Sequence, residues 1–598
     1  MAETTPPARA GTSRRALLAS VPALAGAASI AGASKAQTQA FTRVRPGMPG
    51  WPTDGDWAAL KQMVQGRLEP VTVPQLTPEE APKLLSNPFY IGDQAGLTQS
   101  SGWVDAWRSA PSAYVVRAEN AADVSAAVRF AAAHRLRLVV KGGGHSYMGG
   151  SQAPDSLLVW TRAMQQVELH DAFTPQGAKT APVPAVSVGA GCLWGRVYEA
   201  VSVRGGRYVQ GGGCTTVGVA GLVQGGGFGS FSKTYGIACA GLLEAEIVTA
   251  DGKVRIVNSA QEPDLYWELK GGGGGTFGVI TRMTLATHDL PADFALVQWT
   301  VQASSAEAYR RLLAAFIDVY ATNLFNPHWG EQVAANPSNQ LSFQMLAAGL
   351  DEPTAKAAWA PFVAFVAAHP EDYKAGPLSI PAIPARAFWS EPVLAATAPS
   401  AIGRDTRPGA RPHDFWWSSN TAEAGTFWHG YSSVWMPQSL LQPENRAKLV
   451  DAWFASSRHW QVAFHFNKGL AGSTDAVRAA ARETATNPEV ADAFALAIMG
   501  MDGPSAYPPL PQPSLPPARA DQASIHRASE LLRQAAPGAG CYMSECDYFN
   551  PDWRRASWGP HAERLEAIKR RYDPDGLFIV HHGVGSQGWS ADGFTRVS

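Results

Sequence analysis

The sequence predicts an α+β fold in two large parts, and three observations support that class. Residues 114–140 change from strand spacing to helical spacing and back, which is typical of a strand–helix–strand unit. Residues 243–257 have the pattern of two strands joined by an Asp251–Gly252 hairpin turn. From about Pro291 to Ala536 the glycine clusters of the first part give way to aromatic and alanine-rich helical stretches, which indicates a second domain.

The strand–helix–strand unit can be bounded from its side chains. Tyr114–Ala118 is a β-branched strand, and Asn120 follows it as an N-cap for a helix over Ala121–His134. Leu136–Val140 is the next strand and leads directly into a glycine run. The helix is expected to bury one apolar face made of Val124, Val128 and Ala131.

Composition excludes several classes of protein. The 598 residues include 49 Lys+Arg and 50 Asp+Glu, for a net charge of -1, which argues against a dedicated nucleic-acid binder. The hydrophobic fraction of 45% is enough for a sizeable core and excludes global disorder. Five cysteines are too few for a disulfide scaffold, and no spacing of His, Cys and Asp supports a metal site.

The N-terminus has the pattern of an export signal over residues 1–36. Arg14 and Arg15 precede an apolar run at about residues 16–33, and small residues at Ser34 and Ala36 suit a signal peptidase. This favours a twin-arginine signal, with an ordinary secretory signal or an N-terminal anchor as the alternatives. Residues 37–110 are Pro-rich and poorly periodic, and we expect them to wrap the surface. No later segment has the apolar length of a transmembrane helix, so stable membrane insertion is not expected.

Three dense glycine clusters lie in the first part of the chain, within residues 142–144, 211–229 and 271–278. Glycine removes the Cβ and permits positive φ, so backbone N–H groups can approach an anion or a flat ring. Three clusters together favour a large, planar, phosphate-bearing ligand over ordinary turns. A Rossmann dinucleotide fingerprint is a poor fit, because the first cluster follows a second strand and carries His145.

These motifs resemble the berberine-bridge-enzyme-like flavoproteins of the vanillyl-alcohol-oxidase superfamily. The resemblance rests on the motif segments at residues 139–146, 213–218, 225–229, 264–280, 542–547 and 564–574. It implies a two-part PCMH-type FAD-binding domain at 111–290, completed by a C-terminal segment at 541–598. It also implies a substrate-binding domain at 291–540, with an antiparallel sheet flanked by helices.

By the same resemblance, His145 and Cys214 fall where this family attaches FAD covalently through two bonds. Both side chains are nucleophiles that can add to an electron-poor ring, and both lie beside glycines. The alternatives are a loop histidine that binds phosphate and a buried, inert thiol. The other expected cofactor contacts are Lys141, Gly142, Gly143, Gly144, Ser146, Gly150, Ser151, Gly213, Thr215, Gly218, Gly225, Phe228, Gly229, Gly278 and Val279.

Glu545 is the candidate catalytic base, because it replaces the tyrosine that relatives often have in the fourth position of the tail motif. A carboxylate beside an apolar flavin face can have its pKa raised toward neutrality. The alternative is a salt-bridged structural Glu545. Tyr147 is expected to orient the substrate hydroxyl or to pack on the ring. Leu222 departs from the family pattern, since many relatives have His there, and this puts the reaction with oxygen in doubt.

The expected substrate pocket contains Trp417, Trp428, His465 and Asn467, and sheet core is the alternative for most of the aromatic residues. The expected function is an exported oxidase that transfers hydride from a hydroxyl-bearing small molecule to FAD and reduces oxygen to hydrogen peroxide. The alternatives are a dehydrogenase with another electron acceptor and a non-catalytic binding protein. The sequence leaves open the substrate, the oligomeric state and whether Cys541 and Cys546 pair.

Overall fold

A computed structural model describes residues 41–597 of the chain. The predicted export signal at residues 1–36, with Arg14 and Arg15, lies outside the described residues. None of the helices in residues 41–597 combines the length and the apolar character that a membrane crossing requires.

The segment before residue 111 is part of the fold rather than a surface wrapping. Its elements are α1 (Asp54–Met63), β1 (Leu68–Pro70), α2 (Ala81–Leu84), α3 (Pro88–Gly92), β2 (Ser100–Trp103) and β3 (Trp107–Arg108). Leu60 and Val64 are fully buried, and β1 and β2 each add a strand to a larger sheet. The expectation of a wrapping segment is therefore wrong, because short apolar stretches between the prolines are enough to bury this part of the chain.

The next part of the chain, up to residue 289, forms two sheets. Its elements are β4 (Tyr114–Arg117), α4 (Ala121–Ala133), β5 (Arg137–Lys141), β6 (Ser156–Trp160), β7 (Val167–Phe173), β8 (Val183–Gly189), α5 (Trp194–Tyr198), β9 (Arg207–Val209), α6 (Val219–Gln224), α7 (Ser232–Tyr235), β10 (Leu242–Thr249), β11 (Val254–Asn258), α8 (Pro263–Glu268) and β12 (Gly278–Asp289). One sheet has the strand order β1-β4-β6-β5, with β6 parallel to both neighbours. The other has the order β11-β10-β12-β8-β7, and β9 pairs with β12.

The predicted strand–helix–strand unit is confirmed. The Asn120 side chain accepts hydrogen bonds from the backbone N–H groups of Ala122 and Asp123, as an N-cap does. The predicted apolar face of α4, made of Val124, Val128 and Ala131, is fully buried. The predicted hairpin is also confirmed, since β10 and β11 pair antiparallel across the Asp251–Gly252 turn.

A large, mainly antiparallel sheet with helices packed against it forms the next part of the chain. Its elements are β13 (Asp293–Ala303), α9 (Ala306–Val319), β14 (Trp329–Ala335), β15 (Gln340–Ala348), α10 (Glu352–Ala367), β16 (Tyr373–Ala375), β17 (Ala382–Pro384), α11 (Glu391–Thr397), β18 (Ile402–Arg404), β19 (Phe415–Trp417), β20 (Thr426–Pro437), α12 (Pro443–Ser457), β21 (Val462–His465), α13 (Asp475–Arg482), β22 (Ala493–Gly503) and α14 (Leu515–Ala535). The strand order is β16-β13-β15-β14-β21-β22-β20-β2-β3, with β17 beside β13. One face is buried by α9, α10, α12 and α14 in a continuous apolar core. The other face packs in part against the apolar core of the first part of the chain, through residues such as Phe294, Leu346 and Trp435, and the rest of it is uncovered.

The C-terminal tail returns to the first sheet. It contains α15 (Trp553–Trp558) and α16 (Ala562–Tyr572), and beyond them Phe578 pairs in parallel with Leu138 of β5. The buried Lys569 Nζ lies 2.5 Å from the Asp573 carboxylate and also donates to the carbonyls of Thr276 and Phe578. The mixed α and β architecture predicted from the sequence is confirmed.

Candidate functional site

One large cavity, of about 890 Å³, lies where the glycine clusters, the uncovered face of the large sheet and the C-terminal tail meet. Gly142–Gly144, Gly212–Gly213 and Gly273–Gly275 all reach its wall. A Cβ on Gly143 would lie 2.7 Å from the backbone nitrogen of Gly218, so two of the glycine segments touch backbone to backbone. The cavity therefore depends on glycine both for its shape and for the close approach of its loops.

His145 lies at the wall of this cavity, directly after the first glycine run. Its Nε2 is buried and has no hydrogen-bond partner in the part of the chain that the structure describes. Burial lowers the pKa of His145 to about 4 against a smaller opposing effect of the Thr216 backbone, so the imidazole is neutral near pH 7. A neutral, unpartnered imidazole keeps the lone pair that a covalent bond to a ligand requires.

Cys214 lies at the same wall, and its Sγ donates to the Glu423 carboxylate across 4.0 Å. Burial and the nearby Glu423 raise the pKa of the Cys214 thiol well above its usual range. A group that removes the thiol proton is therefore needed before the sulfur can act as a nucleophile.

Glu423 was not identified from the sequence, although it lines the cavity beside Cys214. It ends a short 3₁₀ helix, Ser418–Glu423, that follows β19. The Asn420 side chain donates to Glu423 Oε1 at 2.9 Å, and the Trp417 indole donates to the Gly213 carbonyl at 3.2 Å. Burial raises the pKa of Glu423 to about 7, and the nearby negative charges of Glu545 and Asp502 add to this effect. Its sequence context carries no motif that could have revealed it.

Glu545 reaches the cavity from the tail, but its surroundings differ from those expected. Both carboxylate oxygens accept hydrogen bonds from Lys468 Nζ, at 2.7 and 2.5 Å, and both side chains are largely buried. The backbone carbonyl of Glu545 also accepts from Ser433 of β20. The ion pair that the sequence left open as the alternative for Glu545 is present, because Lys468, 77 residues away in sequence, reaches the carboxylate.

Tyr147 and Tyr431 lie side by side at the cavity wall, with ring centroids 5.5 Å apart. Burial raises the pKa of both phenols well above 10, so both stay protonated and can donate hydrogen bonds. Trp428 lies behind Tyr147 at 4.3 Å, and its indole donates to Ser100. The placement of Trp428 in the pocket is wrong, because it supports the wall and does not line it.

A row of polar side chains crosses the uncovered face of the sheet. Gln298 of β13, Gln344 of β15, Gln332 of β14 and His465 of β21 occupy successive paired positions, and all four line the cavity. Gln332 Nε2 donates to Gln344 Oε1 at 3.1 Å. The row presents amide and imidazole groups to a ligand.

His465 and Asn467 both line the cavity, although β21 ends at His465 and Asn467 lies in the short 3₁₀ turn after it. His465 Nδ1 and Asn467 Oδ1 are buried, and neither atom has a hydrogen-bond partner within residues 41–597. Burial, reinforced by Lys468, keeps the pKa of His465 well below 6.5. Buried polar atoms are costly to leave unpaired, so these two fit contact with a bound ligand.

Most of the other predicted cofactor contacts are at the cavity. Those that line it are Gly142, Gly143, Gly144, Ser146, Gly150, Ser151, Gly213, Gly218, Phe228 and Gly278. Trp417 lines it as well, and so does Leu222, which packs over Gly212 and Gly227. The departure at Leu222 therefore puts an apolar side chain at the site.

Five predicted contacts lie elsewhere, and the structure gives a reason for each. Lys141 Nζ donates to the carbonyls of Gln94, Ala95 and Leu97, away from the cavity. Thr215 donates to the Phe415 carbonyl, and Val279 is fully buried in apolar core. Gly229 is required for packing, since a Cβ there would lie 2.0 Å from the Gly211 carbonyl oxygen, and a Cβ on Gly225 would lie 2.7 Å from the Ser544 side-chain oxygen.

The remaining cysteines lie away from the cavity wall. Cys192, Cys239, Cys541 and Cys546 are buried free thiols, and the Cys546 thiol donates to the Met543 carbonyl at 3.6 Å. No group of three or more His, Cys, Asp or Glu side chains in residues 41–597 is arranged to hold a metal ion.

Comparison with known proteins identifies the family. Residues 111–258 match the family model described as an FAD binding domain, and residues 541–585 match the model described as berberine and berberine like. An FAD-linked oxidoreductase of Malbranchea aurantiaca is 30% identical over 584 residues, which cover 91% of this chain and 92% of that protein. The chain belongs to the berberine-like FAD-linked oxidoreductases. It is an FAD-dependent oxidoreductase.

Solved structures of this family share the fold. A VAO-type flavoprotein of Myceliophthora thermophila C1 is 24% identical with a TM-score of 0.74, and the match covers 93% of this chain and 100% of that one. The glucooligosaccharide oxidase of Acremonium strictum, described as carrying a 6-S-cysteinyl, 8α-N1-histidyl FAD, is 19% identical with a TM-score of 0.60. That match covers 79% of this chain and 92% of the other. The cavity fits bound FAD in three respects: its glycine loops, the unpartnered nitrogen of His145 and its size.

Proposed function

We propose that this FAD-linked oxidoreductase is an exported oxidase that holds FAD through His145 and Cys214 and oxidises a hydroxyl group of a polar small molecule. The observation that carries the proposal is the meeting of two nucleophiles on touching glycine loops at one cavity wall. The same cavity has an amide-rich wall for a substrate. The doubly linked FAD described for the Acremonium enzyme supports the same arrangement here.

His145 and Cys214 would hold FAD at this wall, and FAD would supply the acceptor for the hydride and the means of reducing dioxygen to hydrogen peroxide. The protein positions the hydroxyl and takes its proton. Tyr147 and Tyr431 are protonated donors that can hold the substrate oxygen, and the Glu545 carboxylate, held by Lys468, is the proposed proton acceptor.

The amide row favours a polyhydroxylated substrate, such as an oligosaccharide, over an aromatic alcohol or an apolar secondary metabolite. Gln298, Gln332 and Gln344 offer donors and acceptors in one line, while Trp417 and Phe388 supply aromatic surface 5.4 Å apart. Glucooligosaccharide and chitooligosaccharide oxidases among the structural neighbours support this class. Leu222, which replaces a histidine common in relatives, favours a dehydrogenase with another electron acceptor as the second candidate.

Oligosaccharides should give hydrogen peroxide in equal amount to oxidised product when added to the purified yellow protein in air. Gln344→Leu should raise the KM for them roughly three- to tenfold, because one hydrogen bond contributes about 0.5–1.5 kcal/mol. The matched control is Gln302→Leu, at the end of the same sheet and outside the cavity. Turnover with an artificial dye but without peroxide would identify a dehydrogenase instead.

If FAD is bound covalently through His145 and Cys214, acid-precipitated protein should keep its yellow colour. His145→Ala and Cys214→Ala should each retain flavin through the other bond, and the double variant should release it on denaturation. Absorbance of the washed precipitate and peptide masses measure the outcome. Release of free FAD from the denatured wild-type protein would disprove the covalent bonds.

If Glu545 is the general base, Glu545→Gln should slow the anaerobic reduction of flavin by substrate about 100-fold or more. General-base catalysis typically contributes ~10²–10⁴ in rate. Flavin should stay bound, and reoxidation by oxygen should change far less. Stopped-flow absorbance separates the two half-reactions.

Lys468→Met is the control for the ion pair, since it also breaks the pair but leaves the carboxylate in place. Equal losses in both variants would mean that the pair is structural. Near-normal reduction in Glu545→Gln combined with a crippled Tyr147→Phe would assign the proton transfer to the tyrosine.

Export is proposed from the sequence pattern of residues 1–36. A twin-arginine receptor reads both arginines, so Arg14→Lys with Arg15→Lys should leave the precursor in the cytoplasm. Cell fractionation and immunoblotting measure this. Normal export of the variant would indicate an ordinary secretory signal.

A further inference from the structure

A carboxylate that the substrate chemistry does not use lies in contact with the cysteine that is proposed to hold FAD. Glu423 Oε2 accepts the hydrogen bond from the Cys214 thiol at 4.0 Å. Its other oxygen, Oε1, accepts from Asn420, which fixes the direction in which the carboxylate points. Glu423 is therefore held facing the sulfur.

The segment that carries Glu423 is fastened to the loop that carries Cys214. The Trp417 indole donates to the carbonyl of Gly213, and the Thr215 hydroxyl donates to the carbonyl of Phe415. These two bonds flank Cys214 on both sides in sequence. The segments that carry the thiol and the carboxylate are thus fastened to each other by the fold, and the Asn420 bond orients the Glu423 side chain between them.

We propose that Glu423 is the general base that removes the proton of the Cys214 thiol when FAD is attached to this residue. The inference rests on the proposed covalent attachment through Cys214. The Sγ–H bond breaks and its proton passes to Glu423, and a bond forms between Sγ and C6 of the flavin. C6 loses its hydrogen as a proton, and two electrons pass to dioxygen. One thiol, one FAD and one O₂ therefore give one thioether-linked FAD and one H₂O₂.

The charge state of the two groups supports this assignment. Burial raises the pKa of the Cys214 thiol, so the nucleophilic thiolate does not form unaided near neutral pH. Burial also raises the pKa of Glu423 to about 7, which suits a base that works near neutrality. The groups that face Glu423 and influence its charge are Glu545, Asp502, Lys468, Tyr147, Tyr431 and Cys214.

The test follows the attachment of FAD to the full-length protein produced under riboflavin limitation. FAD is added in air, samples are denatured and alkylated at intervals, and mass spectrometry measures the flavin-bearing and alkylated forms of the Cys214 peptide. Glu423→Gln should slow attachment at Cys214 by about 10²–10⁴-fold at pH 7.5. Attachment at His145, read from a separate peptide, should continue and shows that the variant folds and binds FAD.

The control is Glu331→Gln, which changes another carboxylate at the same cavity wall whose pKa is raised by burial. Its rate of attachment at Cys214 should stay within a few-fold of wild type. In wild type the rate should rise as pH passes about 7, since Glu423 accepts a proton only when ionised. In Glu423→Gln it should be low at pH 7 and keep rising toward pH 10, where hydroxide forms the thiolate.

The outcomes separate the two proposals. Absence of flavin on Cys214 in the wild type would overturn the proposed attachment itself. Attachment in wild type together with an equal rate in Glu423→Gln, or a wild-type rate that is flat from pH 5.5 to 8, would overturn the role of Glu423. If Glu423→Gln fails to bind FAD, Glu423→Asp keeps a carboxylate and should show slower attachment with the same dependence on pH.

Discussion

The buried ion pair between Lys569 and Asp573 holds together the parts of the molecule that form the site. Lys569 is 6% exposed and Asp573 fully buried, and the carboxylate also accepts the backbone N–H groups of Leu577 and Phe578. Lys569 donates in addition to the carbonyl of Thr276, directly after the third glycine cluster. An unpaired charge in such a place would be strongly destabilising. The pair therefore fixes the tail against the glycine cluster, and it is the tail that carries Glu545 to the cavity.

The site is assembled from segments that are far apart in sequence, and close backbone contact makes this possible. His145 and Cys214 come together because Gly143 and Gly218 touch without side chains between them. Glu423 reaches Cys214 from the other part of the chain, 209 residues away. The loops that carry His145 and Cys214 and the segment that carries Glu423 are held by backbone contacts and hydrogen bonds. The side chains of the cavity wall are therefore positioned by the fold.

Local patterns predicted local structure well. The N-cap at Asn120, the buried face of α4 and the hairpin at Asp251–Gly252 all depend on neighbouring residues, and all are confirmed. The glycine clusters led to His145, Cys214 and most of their neighbours at one cavity, because two of the glycine segments touch backbone to backbone there.

Predictions failed for side chains whose position or surroundings depend on a contact between residues that are distant in sequence. The sequence placed Trp428 in the expected substrate pocket but could not show that Tyr147 packs against it. The long side chain of Lys141 turns away from the glycine loop toward three carbonyls near residue 95. The surroundings of Glu545 depend on Lys468, which no local pattern connects to it. Glu423 lies in an irregular segment whose position is set by hydrogen bonds to the Cys214 loop.

Glu545 and Glu423 lie at the same cavity wall in different electrostatic surroundings, which suits the two proton transfers proposed for them. Glu545 is paired with the ammonium of Lys468, whereas Glu423 contacts a thiol and an amide and has its pKa raised to about 7. Titratable groups with contrasting environments in one site commonly have different tasks. In the proposed function, the Cys214 thiol loses its proton once in the lifetime of each molecule, while the substrate loses a proton in every turnover. A carboxylate at the Cys214 loop and another on the tail allow both transfers to occur in the same cavity without one group serving both.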